Sequence, residues 1–153
     1  MFRMAFVGLG LSLLTAPALA GPAADAVRYF YSPVTSESDP QNRERFTDPA
    51  KKIFEQNDAA VEGGEEIGCI DFALAVDAQD LDDGEVSRTL RLDEKVSGGD
   101  ATVTAYFNLF PGEPESKREI VWTLKKVGGD WKVADIESPQ NQWKLSEFDC
   151  APR

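Results

Sequence analysis

The sequence predicts an α+β domain in which two N-terminal helices pack on an antiparallel sheet stapled by one disulfide. Three observations point there. Apolar residues recur at helical spacing in the first half of the chain, they alternate at strand spacing in the second, and the chain holds two cysteines. Helices followed by a strand meander is the layout of folds whose helices gather on one face of an antiparallel sheet.

The chain opens "MFRMAFVGLGLSLLTAPALA", with Arg3 as a positive start, an apolar stretch from Met4 to Leu14, and the small-residue site Ala18-Leu19-Ala20. This pattern predicts a signal peptide cleaved after Ala20, and hence a periplasmic or secreted protein. No lipid-accepting cysteine stands at that site, and no later stretch reaches the roughly 20 apolar residues of a membrane span. Residues 21–153, of suitable length for one domain, form the expected mature unit. In "PAADAVRYFY" residues Ala23, Ala26, Val27 and Phe30 mark one face of a first helix, with Pro22 in its first turn. A polar loop follows. "TDPAKKIFEQNDAAV" then predicts a second helix with Asp48 as N-cap, Pro49 at the first helical position, and Ala50, Ile53 and Phe54 on its apolar face. Gly63-Gly64 ends it.

Alternation sets the remaining elements. Val86, Leu90 and Leu92 read as one face of a strand, and Val103, Ala105, Phe107 and Leu109 as the core face of the next. Ile120, Trp122 and Leu124 make a third. Ser97-Gly98-Gly99-Asp100 and Gly128-Gly129-Asp130 are glycine-bearing hairpin connections. In "WKVADI" the apolar face switches between Val133 and Ala134, which predicts a bulge or burial on both faces. "WKLSEF" reads as a short final helix or strand. It carries Cys150 toward Cys69, and closing that loop of 81 residues contributes about 4 kcal/mol in the chain-entropy model. An even cysteine count in an oxidising compartment reads as a structural disulfide, since the close spacing of a redox pair is absent.

The helix with "VRYFY", the second helix, the meander and the closing "GGDWKVADI" before "WKLS" resemble the secreted branch of the nuclear-transport-factor-two-like superfamily, the cystatin-like α+β cone. The central "DFALAVDAQD" resembles a secreted bacterial family within it, known as a domain of unknown function (number 3828). The resemblance implies a curved, cone-like sheet (a cone-like roll) wrapped around the helices with a cavity at its wide end, and allows a homodimer through the open sheet face. It assigns no catalytic residue.

Composition narrows the chemistry. Lys and Arg number 16 against 27 Asp and Glu, a net charge of −11. Loss of Arg3 with the leader leaves 15 against 27, or −12. Such a chain is repelled by phosphate backbones and anionic lipid, which argues against nucleic acid and membrane surfaces and leaves a cationic protein as a fitting partner. Histidine is absent, and with it His-ligated metal sites, Ser-His-Asp and Cys-His nucleophiles, and the commonest base near neutral pH. No cofactor is implied.

"IDFALAVDAQDLDDGE", Ile70 to Glu85, places six carboxylates in sixteen positions. With Gly84 at the sixth position of an EF-hand loop, Gln79, Leu81 and Leu90 fall where oxygen ligands are required. The template fails, and the stretch reads as a solvated loop. A looser calcium cage from Asp77, Asp80, Asp82 and Asp83 is the alternative.

Two functional readings follow. In the first the protein is a non-enzymatic exported binding domain. It takes a small apolar ligand among Tyr29, Phe30, Phe107, Trp122 and Trp131, or a cationic protein on its acidic surface, as a secreted inhibitor or immunity protein would. In the second it is a cofactor-free lyase or isomerase. Its acid or base is then Asp71 or Asp135, the carboxylates with apolar neighbours on both sides, assisted by a tyrosine such as Tyr106.

Overall fold

The computed structural model describes residues 21–64 and 68–151; the leader expected over residues 1–20 lies outside them. The fold is α+β. Five antiparallel strands, β1 (Arg91–Ser97), β2 (Asp100–Asn108), β3 (Lys117–Val127), β4 (Asp130–Ser138) and β5 (Trp143–Lys144), pair in sequence order. Helix α1 (Pro22–Arg28) lies against β1, β2 and β4, and α2 (Ala50–Glu62) against β4. A third helix, α3 (Asp83–Thr89), precedes β1.

The alternation reads as expected in β2 and β3. Val103, Ala105 and Phe107 are buried opposite Trp122, Ile120 and Arg118, while Thr102, Thr104 and Tyr106 stay half-exposed on the other face. Strand β4 carries the predicted irregularity. Thr123 pairs with Asp135 and Leu124 with Val133, so Ala134 is the extra residue of a bulge. Val133, Ala134, Asp135 and Ile136 are buried in succession as a result. Both hairpins close where the glycines predict. Gly128 and Gly129 take φ of 61° and 95°, a left-handed pair open to glycine and strained for residues with a Cβ.

The core is an aromatic stack between α1 and the sheet. Phe30 lies face to face with Trp122 at 5.1 Å, and Phe46 meets Phe54 of α2 edge-on at 4.7 Å. Tyr31 packs against both Phe107 and Trp122. The sulfurs of Cys69 and Cys150 are joined, with Cα atoms 5.2 Å apart, within the usual span of a disulfide.

Two expected elements differ. The segment around Val86 is helix α3, not a strand, and β1 starts only at Arg91. Val86 and Leu90 are spaced by four, which serves either period. The Asp82 carboxylate decides for the helix by accepting the Glu85 N–H at 2.8 Å as an N-cap. In α2, Asp48 is not the cap. Pro49 occupies that position and no side chain caps the helix. The entry is fixed through main chain at Thr47, whose N–H donates to Val133 O at 2.8 Å and whose carbonyl accepts from Lys51. "WKLSEF" divides into β5 and a 3-10 turn, Leu145–Glu147.

Replacing both cysteines by serine is expected to lower stability by about 2–4 kcal/mol in urea denaturation, because the open chain regains loop entropy when unfolded. An unchanged midpoint would show that the bond constrains nothing.

Candidate functional site

The stretch from Ile70 to Glu85 has a layered structure that its composition conceals. Leu74, Ala75 and Val76 are fully buried. Asp71, Asp80, Asp82 and Asp83 remain exposed around them. The segment is an apolar plug with an acidic rim, and four sets of contacts hold it.

The first set fixes its start. Asn57 of α2 accepts the Ile70 N–H at 3.1 Å, and the disulfide ties Cys69 to the C-terminal segment. Gly68 allows this approach, since a Cβ there would come within 2.0 Å of the Asn57 amide oxygen. The second set clamps Ala75 from both sides. Its carbonyl accepts from the Tyr31 hydroxyl at 2.7 Å, and its N–H donates to Glu37 Oε1 at 2.6 Å. Tyr31 also accepts the Trp122 indole N–H at 3.1 Å, so one hydroxyl joins plug and sheet. Burial pushes the Tyr31 hydroxyl well above its ordinary range. Burial likewise raises the Glu37 carboxyl to about 7, against the lowering effect of its main-chain hydrogen bonds.

The third set is centred on Asp77. Its carboxylate accepts from Ser138 Oγ at 2.7 Å, Asn141 Nδ2 at 2.5 Å and Trp143 Nε1 at 2.7 Å. Its φ of 51° is rare for a residue with a side chain, and these three bonds, from β4, β5 and the turn between them, maintain it. The fourth set closes the segment: the Asp82 N–H donates to Leu109 O, and Asp82 caps α3. Beyond the cap, Glu85 is buried and takes Arg88 on both oxygens at 2.8 and 2.6 Å, which holds its carboxyl below the usual range.

The acidic run therefore divides by role. Asp77, Asp82 and Glu85 are spent on the fold, whereas Asp71, Asp80 and Asp83 carry no salt bridge among the described residues. Among the described residues no group of three or more His, Cys, Asp or Glu is arranged to hold a metal ion. No helix there is long and apolar enough to cross a membrane.

The other candidates are scattered. Phe30, Phe107 and Trp122 are core residues with at most 3% of their surface exposed. Tyr29 lies at the surface beneath the Arg45 guanidinium and donates to Asn42. Trp131 borders an open groove of about 560 Å³ whose other walls include Glu44, Arg45, Asp130 and Lys132. Three of the five aromatics are thus packed in the core, and Trp131 lines an open groove.

The acid–base candidates are also apart. Asp71 is exposed. Asp135 is buried, and its Oδ1 accepts the N–H groups of Ile136 and Ser146, an anchor for the last turn. Tyr106 shares the outer sheet face with Asp135, two strands away and four residues along by register, about 13 Å in the strand direction. The buried carboxyl beside a tyrosine is Glu37 with Tyr31. Sequence reasoning missed Glu37 because it stands in a polar loop and meets Ala75 across 38 positions.

No family model matches the sequence, and no curated protein matches it. A solved structure shares the fold: a chain of the type VI native effector–immunity complex Tae3–Tai3 from Ralstonia pickettii aligns with a TM-score of 0.51. The two chains are 15% identical, and the match covers 82% of this chain and all of that one.

Asp77→Asn is expected to cost about 1–3 kcal/mol in urea denaturation, because an amide group replaces an acceptor oxygen in front of three donors. The Trp143 fluorescence should shift toward that of exposed indole. Wild-type stability in this variant would show that the Asp77 bonds are not needed.

Proposed function

We propose that this chain is an exported, non-enzymatic protein-binding domain, and that its partner is a cationic protein engaged through the acidic rim of the plug. The observation that carries this reading is preorganisation. The rim carboxylates stand on a segment fixed by the disulfide, by Asn57, by the clamp on Ala75 and by the three bonds to Asp77. A partner that meets fixed charges loses less loop entropy on binding than one that must order them. A field of one sign also steers an oppositely charged protein and raises its association rate.

Other observations support the same reading. The chain has no histidine, and both cysteines are joined, which removes the common nucleophile systems. A disulfide suits an oxidising compartment and so favours export. The solved neighbour belongs to an effector–immunity complex, a pairing of two proteins, and an immunity-type inhibitor is the kind of binding protein proposed here. The meander, its bulge and the helices against it favour the finer reading of a cone-like roll of the nuclear-transport-factor-two-like kind.

The test starts from residues 21–153 purified without refolding from the periplasm of the source cell. A co-purifying protein is identified by mass, produced separately and titrated by calorimetry and stopped flow. The partner is expected to be basic, and Asp71→Asn/Asp80→Asn/Asp83→Asn should slow its association about tenfold or more at low salt. Asp82 is left in place because it caps α3. Binding indifferent to both the substitutions and salt, or a retained small molecule in place of a protein, would overturn the proposal.

A further inference from the structure

Glu37 has no exposed surface, and only one of its carboxyl oxygens is engaged. Oε1 accepts the Ala75 N–H, while Oε2 is buried and meets no protein donor. A carboxylate in this position has only main-chain N–H groups to set against its burial, whereas the neutral acid avoids most of that cost. The ionised group regains water only if one side of its enclosure gives way.

The two sides are held by different contacts. The segment that carries Glu37 is clamped by Arg43. Its guanidinium donates to the carbonyls of Glu37, Ser38 and Asp39 and grips Asp58 of α2 through both oxygens. The facing side is the plug, and Ala75 at its centre is held by the Tyr31 hydroxyl and by the Glu37 carboxyl itself. The charged and titratable groups around Glu37 are engaged with partners. Tyr31, three residues beyond α1, donates to Ala75 and accepts from Trp122 of β3. Arg43 and Asp58 pair at 2.7 Å, and Asp77, beyond the plug, faces three donors from β4, β5 and the turn between them.

We propose that Glu37 is a proton-operated latch on the acidic loop: protonated, it keeps the Leu74–Val76 plug seated, and ionised, it loosens the plug and the rim that the plug carries. The direction follows from burial. The folded carboxyl titrates near 7 and the released one near its ordinary 4.5. The seated state is therefore fully favoured below about 4.5 and loses that advantage as pH rises through 7. Histidine is absent, so no other side chain has its ordinary titration inside that window.

The test is amide hydrogen exchange by NMR on residues 21–153 between pH 5 and 8, corrected for intrinsic rates, in wild type and Glu37→Gln. The opening constant at Ala75 in wild type is expected to rise up to roughly tenfold per pH unit between 5 and 7 and to level off above. Glu37→Gln, which mimics the neutral acid, is expected to be flat. A flat wild type, or an equal rise in the variant, would overturn the latch. If the variant fails to fold, the carboxyl carbon of Glu37 in wild type decides: a midpoint near 7 that tracks Ala75 exchange supports the latch, and one near 4.5 refutes it. Proton control of partner docking rests on the rim being the docking surface. The exchange measurement does not, so the two proposals fail separately.

Discussion

The Tyr31 hydroxyl is the contact on which the arrangement depends. It accepts from the Trp122 indole in the middle of the sheet and donates to the Ala75 carbonyl at the centre of the plug. Both residues are fully buried. Losing a hydrogen-bond partner at such a depth costs about 1–3 kcal/mol per orphaned group. One oxygen thus couples the position of a long acidic loop to the strand at the heart of the core. The aromatic stack of Phe30 on Trp122 fixes the indole that Tyr31 reads.

Carboxyl groups illustrate how position decides chemistry in this chain. Asp82 caps a helix, Asp77 gathers three donors around a left-handed residue, and Asp135 anchors the last turn. Glu85 is neutralised by Arg88. Glu37 is buried with one oxygen unpaired by protein. What is left at the surface, Asp71, Asp80 and Asp83, is the part of the acidic run not spent on a fold contact among the described residues.

The strands were legible because a half-buried strand writes its period directly into the sequence, as Val103, Ala105 and Phe107 do. The switch at Val133-Ala134 was legible for the same reason and became a bulge. Helix α3 was misread because Val86, Leu90 and Leu92 satisfy an even spacing, while the decisive signal was Asp82 with Glu85 three residues on, a capping pattern. The plug was in view as Leu74-Ala75-Val76 between acids, yet charge density suggested a solvated loop throughout. The Glu37 site could not be read at all. Its burial depends on Ala75 and Tyr31, which reach it only through the tertiary fold, and no local pattern in "SPVTSESDPQ" records that.

The clamp between Tyr31, Trp122 and Ala75 seats the acidic loop, and Tyr31→Phe tests it most directly. Exchange protection should fall selectively across residues 74–77 while β2 and β3 keep theirs, with a stability loss of about 1–3 kcal/mol. A variant whose plug amides stay as protected as in wild type would contradict the claim that this hydroxyl seats the loop.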